Sequence, residues 1–252
     1  MLHDSTSDVG GALPAVFPPA AGSARPTSLR PRTLIAVLLI TGVARAEPID
    51  ADLLKRLEAI DAKVAAIQDL SATFEQKKFS ALLKKPMVSR GTVRALGDAM
   101  LWTTVTPEPT QLRIDATSLR LLSVNAKTLE IYPLKGKLAS LAANPLPRLA
   151  TLREKFDIAT DPDAKAAEKP GELALLLTPR DPELKPHVER VRVRLNEKIG
   201  VIERFELTDP DGERTEITFT DPKPNSGLTP KDLDLTPPPG TKTSRPRDAA
   251  TP

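Results

Sequence analysis

Two periodicities follow one another along the chain. Leu53, Leu57, Ile60, Val64 and Ile67 recur at spacings of four, three, four and three, with Lys55, Arg56, Glu58, Asp61 and Lys63 between them. This spacing predicts an amphipathic helix with one buried stripe, and Asp50 stands where the first free N–H groups need an acceptor. From Leu70 the period drops to two. Leu70, Ala72, Phe74 and Gln76 alternate with Ser71, Thr73, Glu75 and Lys77, which describes a half-buried strand. Further strands are predicted near Val88–Leu96, Met100–Val105, Gln111–Asp115, Ser118–Val124 and Leu129–Tyr132, with Gly97-Asp98 as a tight hairpin turn. A second series covers Phe156–Ala159, Glu172–Thr178, Val188–Leu195, Val201–Leu207 and Glu213–Thr220, punctuated by Lys198-Ile199-Gly200 and Asp209-Pro210-Asp211-Gly212.

Between the two series, Leu138, Leu141, Leu146, Leu149 and Leu152 are spaced for a helix that Pro145 and Pro147 break into two short ones. The tail from Asp221 holds 8 Pro in 32 residues and is predicted to run as extended, irregular chain over the surface, with 245–252 disordered. The strand-helix-strand alternation of a doubly wound fold is missing. The pattern therefore predicts an α+β fold: about eleven strands in a large curved antiparallel sheet. That sheet forms an unclosed half-barrel, covered on its concave face by the N-terminal amphipathic helix and two short inserted helices.

The first 46 residues read differently. Arg25, Arg30 and Arg32 precede an apolar run from Leu34 to Ile40, extended to Val43, and Ala44-Arg45-Ala46 has the small-x-small pattern of signal peptidase sites. Cleavage is expected after Ala46, with export to the periplasm. The run falls short of the roughly 20 residues a membrane-spanning helix needs. Residues 1–46 are thus expected to be a disordered extension plus cleaved signal, 47–244 one domain, and 245–252 a disordered tail. The four Arg and two Asp of the leader take two from the formal +3 and leave a mature chain near +1. So even a mixture of charge predicts no nucleic-acid partner.

Composition removes whole classes of chemistry. Cysteine is absent and histidine occurs only at His3 and His187, so disulfides, thiolate chemistry and zinc sites are not expected. Glu75, Asp98 and Asp115 form no recognisable acid/base pair, and no catalytic residue, metal or cofactor is predicted. His187 reads as a loop residue. Asp209, Asp211 and Glu213 fail the spacing of a calcium loop and read as a hairpin turn. Lys77, Lys78, Lys84 and Lys85 read as a solvated basic face, with a headgroup or partner contact as the alternative. With 6 Phe, 1 Trp and 1 Tyr, enclosed apolar space should be walled mostly by Leu, Ile, Val and Ala.

A sheet of this size must curl, and one long and two short helices are too small a plug for its concave side. An aliphatic cavity suited to acyl chains is the expectation. Its candidate lining comprises Leu53, Leu57, Ile60 and Val64 from the first helix, and Leu138 and Leu141 from the inserted segment. From the strands it draws on Phe74, Met100, Trp102, Leu112, Ile114, Ile131, Val191, Val193, Phe205 and Phe219. For each strand residue, ordinary core packing is the competing reading.

Several motifs occur in a telling order: Phe74-Glu75-Gln76 after the first helix, Gly91 in the next strand, Leu101-Trp102 followed by Pro107, and Leu207 to Phe219 with Asn225 downstream. Behind an export signal, this order resembles the periplasmic lipoprotein carriers of the LolA-like family, over roughly residues 50–245. The resemblance implies a half-barrel with a helical lid and a cavity that shields the acyl chains of a lipoprotein or lipid. It also implies acceptance of cargo from an inner-membrane transporter or exporter and delivery to an outer-membrane acceptor; a soluble monomer is the expectation. One position departs: the family's Arg-Pro pair, six and five residues before the Trp, is Leu96 and Gly97 here. The arginine that the resemblance assigns to lid gating is thus missing. Alternatives are a specialised paralogue carrying a polyene or glycolipid product and a lipid-sensing regulatory module.

Overall fold

A computed structural model describes residues 49–134, 148–164 and 169–245. The chain opens with helix α1 (Ala51–Ala65). The Asp50 carboxylate accepts the N–H groups of Asp52 at 3.0 Å and Leu53 at 3.1 Å, and Leu53, Leu57 and Ile60 are buried. Six strands follow: β1 (Asp69–Phe79), β2 (Met87–Leu96), β3 (Ala99–Thr106), β4 (Thr110–Ile114), β5 (Ser118–Ser123) and β6 (Thr128–Pro133). After the short helix α2 (Leu149–Lys155) come β7 (Phe156–Thr160), β8 (Glu172–Pro179), β9 (Arg190–Asn196), β10 (Val201–Thr208), β11 (Arg214–Pro224) and β12 (Lys242–Ser244). The predicted helix before α2, with Leu138 and Leu141, lies outside the described residues, as do the leader and the last seven residues of the tail.

These strands make one sheet in the order β12-β6-β5-β4-β3-β2-β1-β11-β10-β9-β8-β7. Every neighbouring pair is antiparallel except β12 on β6, and β7 and β12 do not meet, so the sheet is not closed into a barrel. Two meanders join where β1 pairs with β11. Strand pairing sorts the side chains into two faces. One is apolar: Val93, Trp102, Leu112 and Leu121 stand in a cross-strand row, as do Leu177, Val191 and Leu207. The other is largely charged, with cross-strand pairs such as Arg90–Glu75 at 2.6 Å, Arg204–Glu216 at 2.8 Å and Arg194–Glu172 at 3.0 Å. Exposed pairs of this kind add at most about 1 kcal/mol each, so their main effect is to keep that face wetted.

Two glycines show why the strands meet as they do. Gly97 opens the two-residue hairpin between β2 and β3 at φ +55°, a conformation costly for other residues. At Gly91, opposite Phe74, a Cβ would meet the Thr103 carbonyl oxygen at 1.9 Å, so the close approach of β2 and β3 demands glycine. The acidic stretch at 209–213 is a hairpin, as predicted: the Asp209 carboxylate accepts the N–H groups of Asp211 and Glu213, and Gly212 sits at φ +82°. His187 lies in the turn before β9, its N–H on the Leu184 carbonyl.

The tail departs from the expectation of irregular chain. β11 runs on to Pro224, a 3-10 turn at Pro230–Leu233 packs over β2 and β3, and β12 adds a twelfth strand at one edge. The reason is on the charged face, where Leu101 and Leu122 are apolar exceptions; Leu233, fully buried, helps to cover this side. Arg113 donates to the Leu233 carbonyl at 2.6 Å and to Asp234 at 3.2 Å, and Gln111 donates to the Thr236 hydroxyl at 3.0 Å.

The root of this strap is a clamp. Asn225, at φ +55°, accepts the Gln68 N–H at 2.7 Å and donates to the Ala66 carbonyl at 3.1 Å, bridging the end of α1 to the end of β11. Asp69, at the start of β1, accepts from the Ser226 hydroxyl at 2.7 Å, the Ser226 N–H at 2.8 Å and the Gly227 N–H at 3.0 Å. Burial pushes the Asp69 carboxyl up, but these donors and the Leu228 N–H outweigh it and hold the group below the usual carboxylate range. A depressed carboxylate contributes stability above its unfolded value near about 3.9 and loses that contribution as pH falls.

Two hydrogen bonds at about 1 kcal/mol each, and the strain of placing alanine at positive φ, predict that Asn225→Ala lowers unfolding free energy by about 2–3 kcal/mol. Urea denaturation checks this, and a loss under about 0.5 kcal/mol would remove the clamp from the account. Asp69→Asn is expected to weaken the fold at neutral pH and to flatten its decline between about pH 5 and pH 3.

Candidate ligand cavity

The apolar face carries two clusters. One joins Leu53, Leu57 and Ile60 of α1 to Phe156, Ile158, Leu173, Leu175, Leu177, Val191, Val193 and Leu195 of β7–β9. The other gathers Ala72, Phe74, Val93, Met100, Trp102, Leu112, Ile114, Leu119 and Ile217 from β1–β5 and β11. Helix α1 lies on the first cluster only, and Phe205 touches both. Along the seam a cavity of about 300 Å³ remains, lined by 28 described residues from both helices, from eight strands (β1–β3 and β7–β11) and, at Leu184, Val188 and Gly200, from the connections flanking β9. Its walls are almost wholly hydrocarbon.

Trp102 stands in this seam. Its indole N–H donates to the Met100 sulfur at 3.0 Å, and its ring meets Phe74 edge-on at 4.9 Å and lies 5.8 Å from Phe219. Such tilted contacts suit the quadrupoles of aromatic rings and fix the indole where it faces the open space. With Phe156, Phe205 and Phe219 also in the lining, the cavity is more aromatic than composition alone suggests.

Among the described residues a single ionisable group, Asp61 on α1, lines the cavity. It holds Arg148 with two hydrogen bonds, at 2.8 and 2.6 Å, and accepts the Leu149 N–H at 2.8 Å. The N-cap residue of α2 has no side-chain cap of its own, so a residue of α1 supplies the missing acceptor. The Arg148 guanidinium bonded to it, working against burial and aided by the Leu149 N–H, holds the Asp61 carboxyl below its usual range. Beyond this pair a smaller polar pocket of about 200 Å³ shares Val64, Leu70 and Ala95 with the cavity and includes Gly97, Asp98 and Arg148. Gly97 thus occupies a left-handed turn position that a proline, with φ near −65°, could not adopt. Arg148 brings a guanidinium to the same corner from α2's side.

The residues singled out in the sequence divide into four groups. Leu57, Ile60, Val64, Met100, Trp102, Val191, Val193, Phe205 and Phe219 line the cavity. Leu53, Phe74, Leu112 and Ile114 lie on the same face but inside the two clusters, away from the open space. Leu138 and Leu141 fall outside the described residues. Ile131 is on the wrong face: it pairs with Arg120, whereas its neighbour Tyr132 pairs with Leu119 and packs in the second cluster. Lining residues that were not anticipated include Leu175, Leu177, Leu184, Val188 and Leu207. Leu173 to Leu177 is an unbroken apolar run, so only the pairing of Leu175 with Val193 and Leu177 with Val191 reveals their side. Among the described residues no cluster of His, Asp or Glu could hold a metal ion.

Comparison with known proteins gives this architecture a family. The model described as outer membrane lipoprotein carrier protein LolA matches residues 65–234, about two thirds of the chain. The chain belongs to the LolA family. It is 27% identical over 175 residues to an outer-membrane lipoprotein carrier protein of Vibrio cholerae serotype O1, a match covering 68% of this chain and 82% of the relative. An uncharacterized conserved protein from Thermus thermophilus has a TM-score of 0.50 at 12% identity, over 77% of this chain and 99% of that one. The Mycobacterium tuberculosis lipoprotein LppX matches at a TM-score of 0.43 and 10% identity, over 71% of this chain and 98% of that one. At 12% identity the likeness to the Thermus protein is one of fold alone.

For this LolA-family chain, Asp61→Ala removes both the two-pronged ion pair and the acceptor at the start of α2. Hydrogen exchange of α2 amides is expected to rise by at least about tenfold, with a global loss of only about 1–2 kcal/mol. Unchanged exchange in α2 would show that Asp61 does not hold the two helices together.

Proposed function

We propose that the protein is a periplasmic carrier that shields the acyl chain of a lipoprotein or lipid in the seam cavity and moves it from the inner to the outer membrane. The observation that carries this reading is the cavity itself: about 300 Å³ of hydrocarbon-walled space with one carboxylate at its margin. Membership of a family described as outer membrane lipoprotein carriers supports it. On this reading residues 1–46 are removed after Ala46, residues 47–244 form the carrier domain, and the protein binds without catalysis. Its partners are a donor in the inner membrane and an acceptor in the outer membrane.

A carrier must release what it binds. Each buried methylene is worth about 0.8 kcal/mol, so a chain of about 16 carbons offers on the order of 12 kcal/mol before costs. The stripe of α1, already packed on strands β8 and β9, offsets part of this gain if it must shift to admit cargo. In this reading the Asp61–Arg148 pair tethers the two helices in place of the arginine missing at Leu96. The departure at Leu96 and Gly97 supports a second, narrower reading, in which the cargo is a particular lipid product such as a glycolipid or polyene.

Native mass spectrometry of protein taken from its own periplasm should reveal a noncovalently bound lipid or acylated peptide, and lipid extraction then separates the two readings. Ala72→Phe, which places a ring in the cavity, should cut uptake of a fluorescent fatty acid at least about tenfold while the melting temperature is kept. A protein that emerges empty and takes up no fatty acid would overturn the carrier reading.

A further inference from the structure

The large hydrophobic side chains most exposed among the described residues are Leu82 (92%), Val105 (60%), Leu83 (43%) and Met87 (38%), and they share one end of the sheet. Leu82 and Leu83 are on the loop joining β1 to β2, Met87 opens β2, and the pairing of Arg90 with Thr106 brings Val105 alongside. Single exposed leucines are ordinary, but four large apolar side chains gathered at one end mark an interaction site.

The loop is an ordered presentation device. The Leu83 N–H donates to the Ser80 carbonyl at 3.0 Å, closing a turn with Ala81 and Leu82 at its tip. The Ser80 hydroxyl accepts the Leu82 N–H at 3.3 Å and donates to Glu213 at 2.7 Å, which ties the turn to β11. At the base, the Arg214 guanidinium lies 4.2 Å from the Phe79 ring centre. Leu82 is therefore held outward by fixed contacts beneath it.

Charge identifies what this end fits. Lys77 and Arg90 share Glu75, Lys78 pairs with Glu213, and Asp209 caps its own hairpin. Lys84 and Lys85, directly after the leucines, are exposed and make no ion pair among the described residues; with Lys127 on the β5–β6 turn they leave three such cations at this end against Asp211 and Glu108 on the neighbouring turns. Apolar side chains at a tip with free lysines just behind them match the layering of an anionic bilayer, where hydrocarbon lies beneath a plane of negative headgroups. Lysine stems also lie comfortably along such a boundary.

We infer that this end of the molecule docks on anionic lipid membranes, Leu82 and Leu83 entering the interface while Lys84 and Lys85 meet the headgroups. The Gly97-Asp98 hairpin, at the other end of β2, stays in water. None of the four exposed residues lines the cavity, whose lining comes nearest this loop at Ile217 and Leu207; Ile217 is opposite Gln76, about three residues of strand or roughly 10 Å from Phe79.

Because the chain has no cysteine, Ala81→Cys and Asp98→Cys each give a unique site for an environment-sensitive fluorophore. With phosphatidylethanolamine/phosphatidylglycerol vesicles, the label at 81 should shift to the blue and the label at 98 should not. Phosphatidylcholine vesicles should produce a much smaller shift. The unlabelled double variants Leu82→Ser/Leu83→Ser and Lys84→Glu/Lys85→Glu should each weaken flotation with the anionic vesicles at least about tenfold. Both should take up fatty acid as the unaltered protein does, which separates this inference from the carrier reading. A silent label at 81, a responding label at 98, or full vesicle binding by the serine variant would overturn it, the last two pointing to another docking face.

Discussion

The structure turns on an excess of apolar surface. Twelve strands present a hydrocarbon face wider than the described helices cover, because the stripe of α1 is taken up by β7–β9 and leaves the seam beside Trp102 unfilled. Protein interiors are normally close-packed, and side chains bordering a gap forgo contacts they would make in a filled core. A flexible hydrocarbon entering the seam would restore those contacts without any hydrogen bond, which suits a site meant to take chains of varied structure. Asp61 is the one charged residue among the described lining, and its carboxylate accepts from Arg148 through both oxygens and from the Leu149 N–H of α2.

Everything else holds that unfilled seam within a stable molecule. The charged face carries cross-strand ion pairs, and the C-terminal strap lies over β2–β4, pinned by Arg113 and Gln111. Asn225 and Asp69 join this strap to the junction of α1 and β1, so the part of the helix nearest the polar pocket is anchored from below. The strap and its clamp thus fasten one face of the sheet, while the opposite face, which carries both hydrophobic clusters, keeps its opening beneath two helices joined through Asp61 to Arg148 and the Leu149 N–H. A carrier can be firm and yet yield on the side where cargo enters.

Periodicity made most of this legible before any coordinates. The 4-3-4-3 spacing and Asp50 foretold α1 and its cap, and strict alternation placed Ala72, Phe74, Met100 and Trp102 on one face. Alternation assigns a face but no position on it, which is why Leu112 and Ile114 prove to be packed core while Val191 and Phe205 reach the cavity. Where both sides of a strand are apolar the signal fails: Ile131 and Tyr132 differ by one residue and face opposite ways, and the run Leu173 to Leu177 hides which leucines look inward. Proline in the tail predicts extended, irregular chain, and the extended part holds; what proline content does not show is that such a chain is already shaped to pair at a sheet edge, as β12 does with β6. The exposed leucines of the β1–β2 loop carried no periodic signal at all; only exposure sets them apart.

The central claim is that hydrocarbon can occupy the seam against the chain's sole tryptophan. Bromine quenches indole emission at close range, so titrating the protein with a brominated fatty acid and its unbrominated parent tests that claim most directly. Strong, saturable quenching by the brominated chain alone is the predicted result, reversed by excess of the parent. Emission from Trp102 that is equally indifferent to both chains, in a protein shown to be folded, would contradict it.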